Sequence, residues 1–229
     1  MIETFQDPAA MAAMTAAAIA DRLAYRLRLQ GKASLCVTGG RSPGPVYDIL
    51  SNAALDWARV DITLSDERFV DTGSADSNER LVRERLLTGR AARANFLGLR
   101  GTAETPEAAA AEASAALSGW LPFEVTLLGM GEDGHFASLF PKSTALAAGL
   151  DRAAPPCIAV PEGEGIAPPQ PRLSLTLPRL ISSRLVIVLA SGSAKRRVLE
   201  RAEDNVDPMQ LPIRAVVKSA PTLRIVWTA

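Results

Sequence analysis

The chain has 229 residues, of which 48% are hydrophobic, so it is long enough to bury a full core. Its 25 basic and 25 acidic residues give a formal net charge of zero. This balance argues against a general nucleic-acid-binding protein, which normally carries a basic stripe, but leaves room for a small anionic ligand.

The two cysteines, Cys36 and Cys157, both lie in apolar, strand-like runs. This context predicts buried free thiols rather than a disulfide framework or a metal cluster. No stretch approaches the roughly 18 apolar residues that a membrane span requires, and the N-terminus lacks the basic region of a signal peptide. We therefore expect a cytoplasmic protein with no membrane contact.

Apolar runs separated by turn signals predict helices that alternate with strands. An alanine-rich helix is predicted over 8–30, opened by Asp7-Pro8 and closed by Gly31. Further helices are predicted from Pro45 to Leu50, over 78–87, from Thr105 to about Ser118 and over 194–203. Strands are predicted over 33–37, 60–64, 123–128, 157–160, 184–190 and 223–227, and a proline-rich loop over 161–171.

Several of these strands are continuous apolar runs, which is typical of a parallel sheet covered by helices on both faces. The sequence therefore predicts an α/β fold with a mostly parallel sheet. With no internal repeat and no clean linker, residues 1–229 are predicted to form a single domain. Unusual loops follow Val37, Leu64, Leu128 and Ala190, and ligands of such sheets bind beyond the carboxyl ends of the strands. We expect these loops to share one site.

The only histidine, His135, ends the glycine-rich run 129–135 directly after a predicted buried strand. Histidine is the usual general acid or base near neutral pH. A lone histidine is more often a structural residue, but three glycines in this run favour a backbone folded tightly around a ligand. Asp133 either orients His135 or closes the turn, and the sequence leaves both roles open.

Two further glycine-containing loops each join a predicted strand to a helix, over 38–43 and 191–195. Backbone N–H groups in such loops, together with a helix N-terminus, favour an anion. The loop 38–43 matches neither a Walker nor a dinucleotide motif, and a Gly-Gly turn alone is more often a simple turn. Lys195 opposes the helix dipole in a first turn, which is unfavourable unless it meets an anion. A solvated lysine is the alternative.

The run Asp66-Glu67-Arg68 follows a strand end and is either an exposed charged turn or part of the site. Arg172 is equally open, as an anion contact or as a solvated arginine. The chain has no Gly-x-Ser-x-Gly elbow and no cysteine near His135, so water activated by the histidine is a simpler chemistry than a nucleophilic triad.

Taken together, these segments resemble the glucosamine-6-phosphate deaminase/6-phosphogluconolactonase family, and within it the lactonases. The resemblance covers nearly the whole chain, and its most specific part is the run from Gly129 to Pro141. The weaker segments that accompany it are 37–43, 64–70, 76–82, 172–176 and 192–195.

This resemblance implies a doubly wound, Rossmann-like sheet of the sugar-phosphate isomerase/deaminase type. It implies hydrolysis of 6-phospho-D-glucono-1,5-lactone to 6-phosphogluconate in the oxidative pentose phosphate pathway, by a carboxylic ester hydrolase that uses no metal and no cofactor. The expected partner is this phosphorylated sugar lactone, and the expected state a monomer or weak homodimer. The implied catalytic residues are His135, Asp133 and Arg68, and the implied substrate-binding residues are Thr38, Gly39, Gly40, Arg41, Ser42, Asp66, Gly131, Arg172 and Lys195.

Within that set, His135 would activate water, Asp66 and Arg68 would face the sugar or its carbonyl, and Arg172 and Lys195 would hold the phosphate. Three positions depart from the family pattern, and they are Arg41, Glu79 and Phe136.

Two other functions are weighed against the lactonase. In the related deaminases a catalytic glutamate follows the Asp-Gly-His turn, whereas this chain has Phe140 there, and a phenyl ring moves no protons. A non-catalytic sugar-phosphate sensor would normally add a DNA-binding module of roughly 60 residues, for which we expect no room.

Overall fold

A seven-stranded parallel sheet forms the centre of the computed structural model, which describes residues 2–120, 122–163, 166 and 168–229. The strand order is β1-β10-β9-β6-β2-β3-β5, and every neighbouring pair is parallel. These strands are β1 (Ile2–Phe5), β2 (Ala33–Val37), β3 (Val60–Leu64), β5 (Asn95–Leu97), β6 (Val125–Gly129), β9 (Val186–Ser191) and β10 (Leu223–Thr228).

A second, three-stranded antiparallel sheet has the order β4-β8-β7. Its strands are β4 (Asp66–Arg68), β7 (Cys157–Val160) and β8 (Arg172–Leu175). The helices are α1 (Pro8–Gln30), α2 (Gly44–Leu50), α3 (Asn78–Arg85), α4 (Pro106–Leu117), α5 (Leu146–Leu150), α6 (Leu177–Ile181), α7 (Ser193–Glu203) and α8 (Ile213–Ser219). The predicted α/β fold with a mostly parallel sheet is confirmed.

The boundaries of α1 follow from its two caps. The Asp7 carboxylate accepts a hydrogen bond from the N–H of Ala9 at 3.0 Å, and Pro8 occupies the first helical position. At the other end Gly31 has φ +71° and donates its N–H to the Leu27 carbonyl at 2.9 Å. The helix therefore spans the predicted residues 8–30.

The central strands are buried on both faces, since β6 and β9 bury consecutive residues, 125–128 and 186–190. Leu35, Ile62, Leu127 and Val188, one from each of four central strands, are all fully buried. Burial of such side chains contributes about 1.5–3 kcal/mol each to folding. The two cysteines are free and buried as predicted, and burial raises the pKa of Cys157 to about 12.

Several predictions were wrong for elements that depend on distant pairing. The strand 157–160 exists, but it belongs to the small antiparallel sheet rather than the parallel one. The interpretation of residues 66–68 as an exposed turn is wrong, because they form β4, pair with β8 and include two buried carboxylates, Asp66 and Glu67. The elements that pattern analysis did not predict are β1, β4, β5, β8, α5, α6 and α8.

Two further helices differ slightly from their predicted bounds. The predicted helix 78–87 is capped by Ser77, whose hydroxyl accepts the Arg80 N–H at 3.1 Å, and it ends at Arg85. The helix predicted over 194–203 begins at Ser193, and its cap is Gly192 with no side-chain hydrogen bond.

Among the described residues, no helix is long and apolar enough to cross a membrane.

The order of the strands places a topological switch between β2 and β6. From β2 the chain continues to β3 on one side, whereas β6 is followed by β9 and β10 on the other. Loops leaving the carboxyl ends of β2 and β6 diverge there and open a crevice, which is the usual ligand site of such sheets. Thr38 follows β2 and Met130 follows β6 at this point.

Substitution of Tyr47 tests how the first loop is held. Tyr47 on α2 is fully buried, and its hydroxyl donates to the Thr38 carbonyl and accepts the Thr38 N–H at 3.1 Å. Tyr47→Phe leaves both backbone groups without this partner, so we expect a loss of about 1–3 kcal/mol in the free energy of unfolding, measured with urea.

The matched control is Tyr25→Phe, since Tyr25 is the only other tyrosine and is 47% exposed. Its stability should stay within about 0.5 kcal/mol of the parent. Equal stability of Tyr47→Phe and the parent would show that the hydroxyl does not secure Thr38.

Candidate active site

A cavity of about 240 Å³ lies at the carboxyl edge of the parallel sheet, at the switch between β2 and β6. All nine predicted substrate-binding residues line it, together with predicted catalytic residues His135 and Arg68. The third predicted catalytic residue, Asp133, does not line the cavity but is hydrogen-bonded to His135. The lining also includes Pro43, Asn78, Gly129, Met130, Ala137 and Leu189, none of which was predicted as a site residue.

The loop that carries His135 is a tight turn. Gly131 donates its N–H to the His135 carbonyl at 2.9 Å, and Gly134 donates to the Gly131 carbonyl at 3.1 Å. A Cβ on Gly131 would overlap both the imidazole of His135 and the carboxylate of Asp133. Gly134 has φ +83°, in the left-handed region that favours glycine. These two glycines therefore allow the imidazole to fold back over its own loop.

Asp133 makes the contacts that both of its open roles would require. Its Oδ1 lies 2.6 Å from Nδ1 of His135 and also accepts the His135 backbone N–H at 3.1 Å. Burial raises the pKa of Asp133, but the hydrogen bonds and the charge of His135 outweigh it, so the pKa is lowered overall. An ionised carboxylate only accepts, so Nδ1 of His135 carries the proton and Nε2 is left as the basic nitrogen.

Phe140 packs against the histidine ring. The two ring centroids are 4.2 Å apart with an interplanar angle of 38°, and Phe140 is 3% exposed. The Arg172 guanidinium lies 5.1 Å from the Phe140 centroid, a cation–π distance. An apolar ring therefore shields one side of His135 and brings no second proton-transferring group to it.

Strand β4 presents Asp66 and Arg68 to the cavity. The Asp66 carboxylate is buried and accepts hydroxyl hydrogen bonds from Ser65 at 2.8 Å and Ser138 at 2.7 Å. Arg68 Nη1 donates to the Asn78 side-chain oxygen at 2.8 Å and to the Asp76 carbonyl at 2.7 Å. The guanidinium is thus held in one position beside the cavity.

Between these two residues, Glu67 fastens α3 to β4. Its carboxylate accepts the backbone N–H groups of Arg68, Asn78 and Glu79, each at 2.7 Å, and the Ser77 hydroxyl at 3.0 Å. Burial nevertheless raises the pKa of Glu67 above its ordinary value. Neither Glu67 nor Asn78 was predicted as a site residue, since the hydrogen bonds of both depend on the pairing of β4 with α3 and have no local signal in the sequence.

Three more cationic side chains line the cavity, and each comes from a different element. They are Arg41 after β2, Arg172 on β8 and Lys195 in the first turn of α7. Burial lowers the pKa of Lys195, Glu132 raises it, and Arg41 lowers it further. Burial also lowers the pKa of Arg172, which is 3% exposed. Holding these charges in a partly desolvated cavity is costly, and an anion bound among them offsets that cost.

Of the three positions that depart from the family pattern, only Arg41 lines the cavity. Phe136 is fully buried in the core behind it. Glu79 is buried and accepts a hydrogen bond from Arg83 Nε at 2.8 Å. Within the part of the chain that the structure describes, no group of three or more His, Cys, Asp or Glu side chains could hold a metal ion.

The chain is similar to proteins of known type over almost all of its length. A family model for glucosamine-6-phosphate isomerases/6-phosphogluconolactonase matches residues 6–227. A 6-phosphogluconolactonase of Rhizobium meliloti is 41% identical over 225 residues, which cover 97% of this chain and 96% of that protein. One of Pseudomonas putida is 41% identical over 229 residues, which cover 99% and 92% of the two chains.

Solved structures agree with the sequence comparisons. The crystal structure of a 6-phosphogluconolactonase from Shewanella baltica superimposes with a TM-score of 0.95 at 38% identity, and the match covers 100% of this chain and 97% of that one. The similarity therefore includes both sheets of this chain and the loops that line the cavity. The chain belongs to the glucosamine-6-phosphate isomerase/6-phosphogluconolactonase family.

Proposed function

We propose that this chain hydrolyses 6-phospho-D-glucono-1,5-lactone to 6-phosphogluconate, a step of the oxidative pentose phosphate pathway. The observation that carries the proposal is one cavity in which a carboxylate-oriented imidazole, Asp133–His135, lies among three cations from separate elements. An imidazole base and an anion site are the two features that this reaction requires. The names of the relatives support the same substrate.

Binding begins with the phosphate. Lys195, Arg41 and Arg172 supply positive charge, and the Gly39-Gly40 backbone lies close beside them. Binding energy from this non-reacting group fixes the sugar ring and brings its C1 carbonyl to the histidine. The phosphate therefore contributes to rate through orientation, and not only to affinity.

Hydrolysis then proceeds in two proton transfers. Nε2 of His135 takes a proton from water, whose oxygen attacks C1 and forms a tetrahedral intermediate. Arg68, fixed by Asn78, stabilises the negative charge that develops on the carbonyl oxygen. The C1–O5 bond breaks, the imidazolium returns its proton to O5, and Asp133 stabilises the imidazolium meanwhile.

The deaminase alternative requires a further acid or base beside the histidine. Where the related deaminases carry that further glutamate, this chain has Phe140, whose phenyl ring packs against His135 and transfers no proton. A sensor without catalysis would need the anion site but not the Asp133–His135 pair. Both alternatives are therefore supported by fewer of the observed contacts than the lactonase.

The experiment that tests the proposal compares two substrates with the same protein preparation. Freshly generated 6-phosphogluconolactone should be hydrolysed well above its spontaneous rate, and glucosamine 6-phosphate should release no ammonia. EDTA should leave the rate unchanged. Ammonia release would favour the deaminase, and tight binding of phosphosugars without turnover would favour the sensor.

Removal of the imidazole should act on the chemical step. His135→Ala removes the base while leaving the three cations in place, so we expect kcat to fall by about 10²–10⁴-fold with KM changed less. Stopped-flow hydrolysis, corrected for the spontaneous rate, measures both constants. Unchanged kcat would remove His135 from the mechanism.

Removal of the Lys195 ammonium should act through the phosphate. Lys195→Ala should raise KM for the phosphorylated lactone by about 10-fold or more, while turnover of unphosphorylated gluconolactone stays the same. The control is Lys32→Ala, whose side chain is 72% exposed and pairs with Asp61 outside the cavity. If KM for the phosphorylated lactone does not move, the phosphate lies elsewhere.

The lowered pKa of Lys195 predicts how product binding depends on pH. The phosphate of 6-phosphogluconate attracts the protonated amine, so affinity should fall as pH rises through the pKa of Lys195 in the free protein. Because burial lowers that pKa, the fall should begin below the ordinary lysine value of about 10.4. Titration calorimetry across this pH range measures the effect.

Lys195→Arg is the control for this titration, since a guanidinium stays charged throughout the range. The variant should lose the alkaline fall in affinity. A parent protein that shows the same flat profile as Lys195→Arg would contradict the assignment.

The cytoplasmic location and the monomeric or weakly dimeric state of the protein stay predictions.

A further inference from the structure

A second, larger cavity lies away from the active site and forms a groove between α6 and α8. Its volume is about 1150 Å³, and it shares no lining residue with the active-site cavity. We call it the α6–α8 groove. Its apolar wall comes from α6, the end of α5 and the loop after α7, and includes Leu150, Leu177, Ile181 and Val206.

The rim of the α6–α8 groove is basic. Arg152, Arg214 and Lys218 line it together with a single acidic residue, Asp207. The Asp207 carboxylate accepts the Met209 N–H at 2.9 Å, which holds it in its own loop. Arg214 donates to two neutral oxygens, those of Ala202 at 3.1 Å and the Asn205 side chain at 3.2 Å, so its charge is not neutralised there. In a chain with zero net charge, this is a local excess of positive charge.

We propose that the α6–α8 groove binds a small organic anion with an apolar body. The apolar wall would bury the body of the ligand, and the basic rim would pair with its anionic group. Ligand pockets are usually apolar with a few polar or charged groups that orient the ligand. The concave shape and large volume fit a small molecule better than the flat surface of a protein partner. The proposed site shares no residue with the active-site cavity and does not rest on the proposed lactonase function.

Helix α8 connects this groove to the histidine loop. At its first residue, the Ile213 N–H donates to the Gly134 carbonyl at 2.8 Å, directly before His135. The Leu211 side chain packs so closely on Gly134 that a Cβ there would overlap it. At the other end of the same short helix, Lys218 lines the groove. A ligand that moves α8 would therefore move the backbone that carries His135, and we include this coupling in the proposal.

The test uses anilinonaphthalene sulfonate, an aromatic anion, as the probe, with its uncharged counterpart phenylnaphthylamine. Fluorescence titration of the intact protein should show one saturable site for the anion. Lys218→Glu should weaken binding of the anion about 10-fold or more, whereas phenylnaphthylamine should bind weakly to both proteins.

Two controls separate the groove from other surfaces. Arg28→Glu reverses an exposed charge on α1 and should leave the affinity of the dye unchanged. Saturating 6-phosphogluconate should not compete with the dye, so any change in the affinity of the dye should level off once the product fills the active site. Absence of binding, equal affinity for Lys218→Glu, or a loss of dye affinity that grows without limit with 6-phosphogluconate would each overturn the proposed site.

The single histidine provides a readout of coupling that does not depend on activity. Its imidazole proton resonance in the NMR spectrum is assigned without ambiguity, because no other histidine exists. Saturation of the groove should shift this resonance in the parent, and the same dye concentration should shift it less in Lys218→Glu. A bound dye that leaves the resonance unmoved would overturn the coupling through α8.

Discussion

The hydrogen bond between Asp133 and Nδ1 of His135 depends on a turn that closes over Gly131. Any side chain at this position would occupy the space of the imidazole or of the carboxylate. Helix α8 holds this turn, because its first N–H, that of Ile213, donates to the Gly134 carbonyl. The backbone geometry therefore fixes the orientation of the His135 ring, and the hydrogen bond to the Asp133 carboxylate leaves Nε2 as the unprotonated nitrogen.

The loop that carries His135 also helps to fix the Asp66 carboxylate and the Arg68 guanidinium on β4. Two residues after His135, Ala137 adopts φ +47°, which L-residues rarely do, and Ser138 then donates its hydroxyl to Asp66. Because Asp66 and Arg68 belong to one short strand paired with β8, a single hydrogen-bonded unit sets the distances among the His135 imidazole, the Asp66 carboxylate and the Arg68 guanidinium. The small antiparallel sheet thus functions as the support of the site rather than as an appendage of the fold.

Sequence reasoning was strongest where a local signal determines the structure. The limits of α1 follow from Asp7, Pro8 and Gly31, whose caps act within a few residues. Four loops were expected to share one site because glycine and charge after a buried strand indicate the carboxyl edge of a parallel sheet, whatever the details of packing. The individual residues of that predicted site came from the family resemblance. That edge gathers the predicted loops around one cavity.

Reasoning from sequence failed where long-range pairing decides. Asp66 pairs with Ser174, more than a hundred residues away, and nothing in the run 66–68 reveals that partner. Helices such as α5 and α6 have five residues each, too few to show a helical period. Asn78 has two functions, as the first residue of α3 and as the acceptor that holds Arg68, and only the first has a local signature.

The central claim is the direction in which the substrate lies, with its phosphate at the cations and its C1 carbon at the histidine. A crystal structure of the complex with the product, 6-phosphogluconate, tests this most directly. The account predicts phosphate oxygens within hydrogen-bond distance of Lys195 Nζ and the C1 carboxylate beside Nε2 of His135 and the Arg68 guanidinium. A product bound in the opposite direction, with its phosphate at His135, would contradict it.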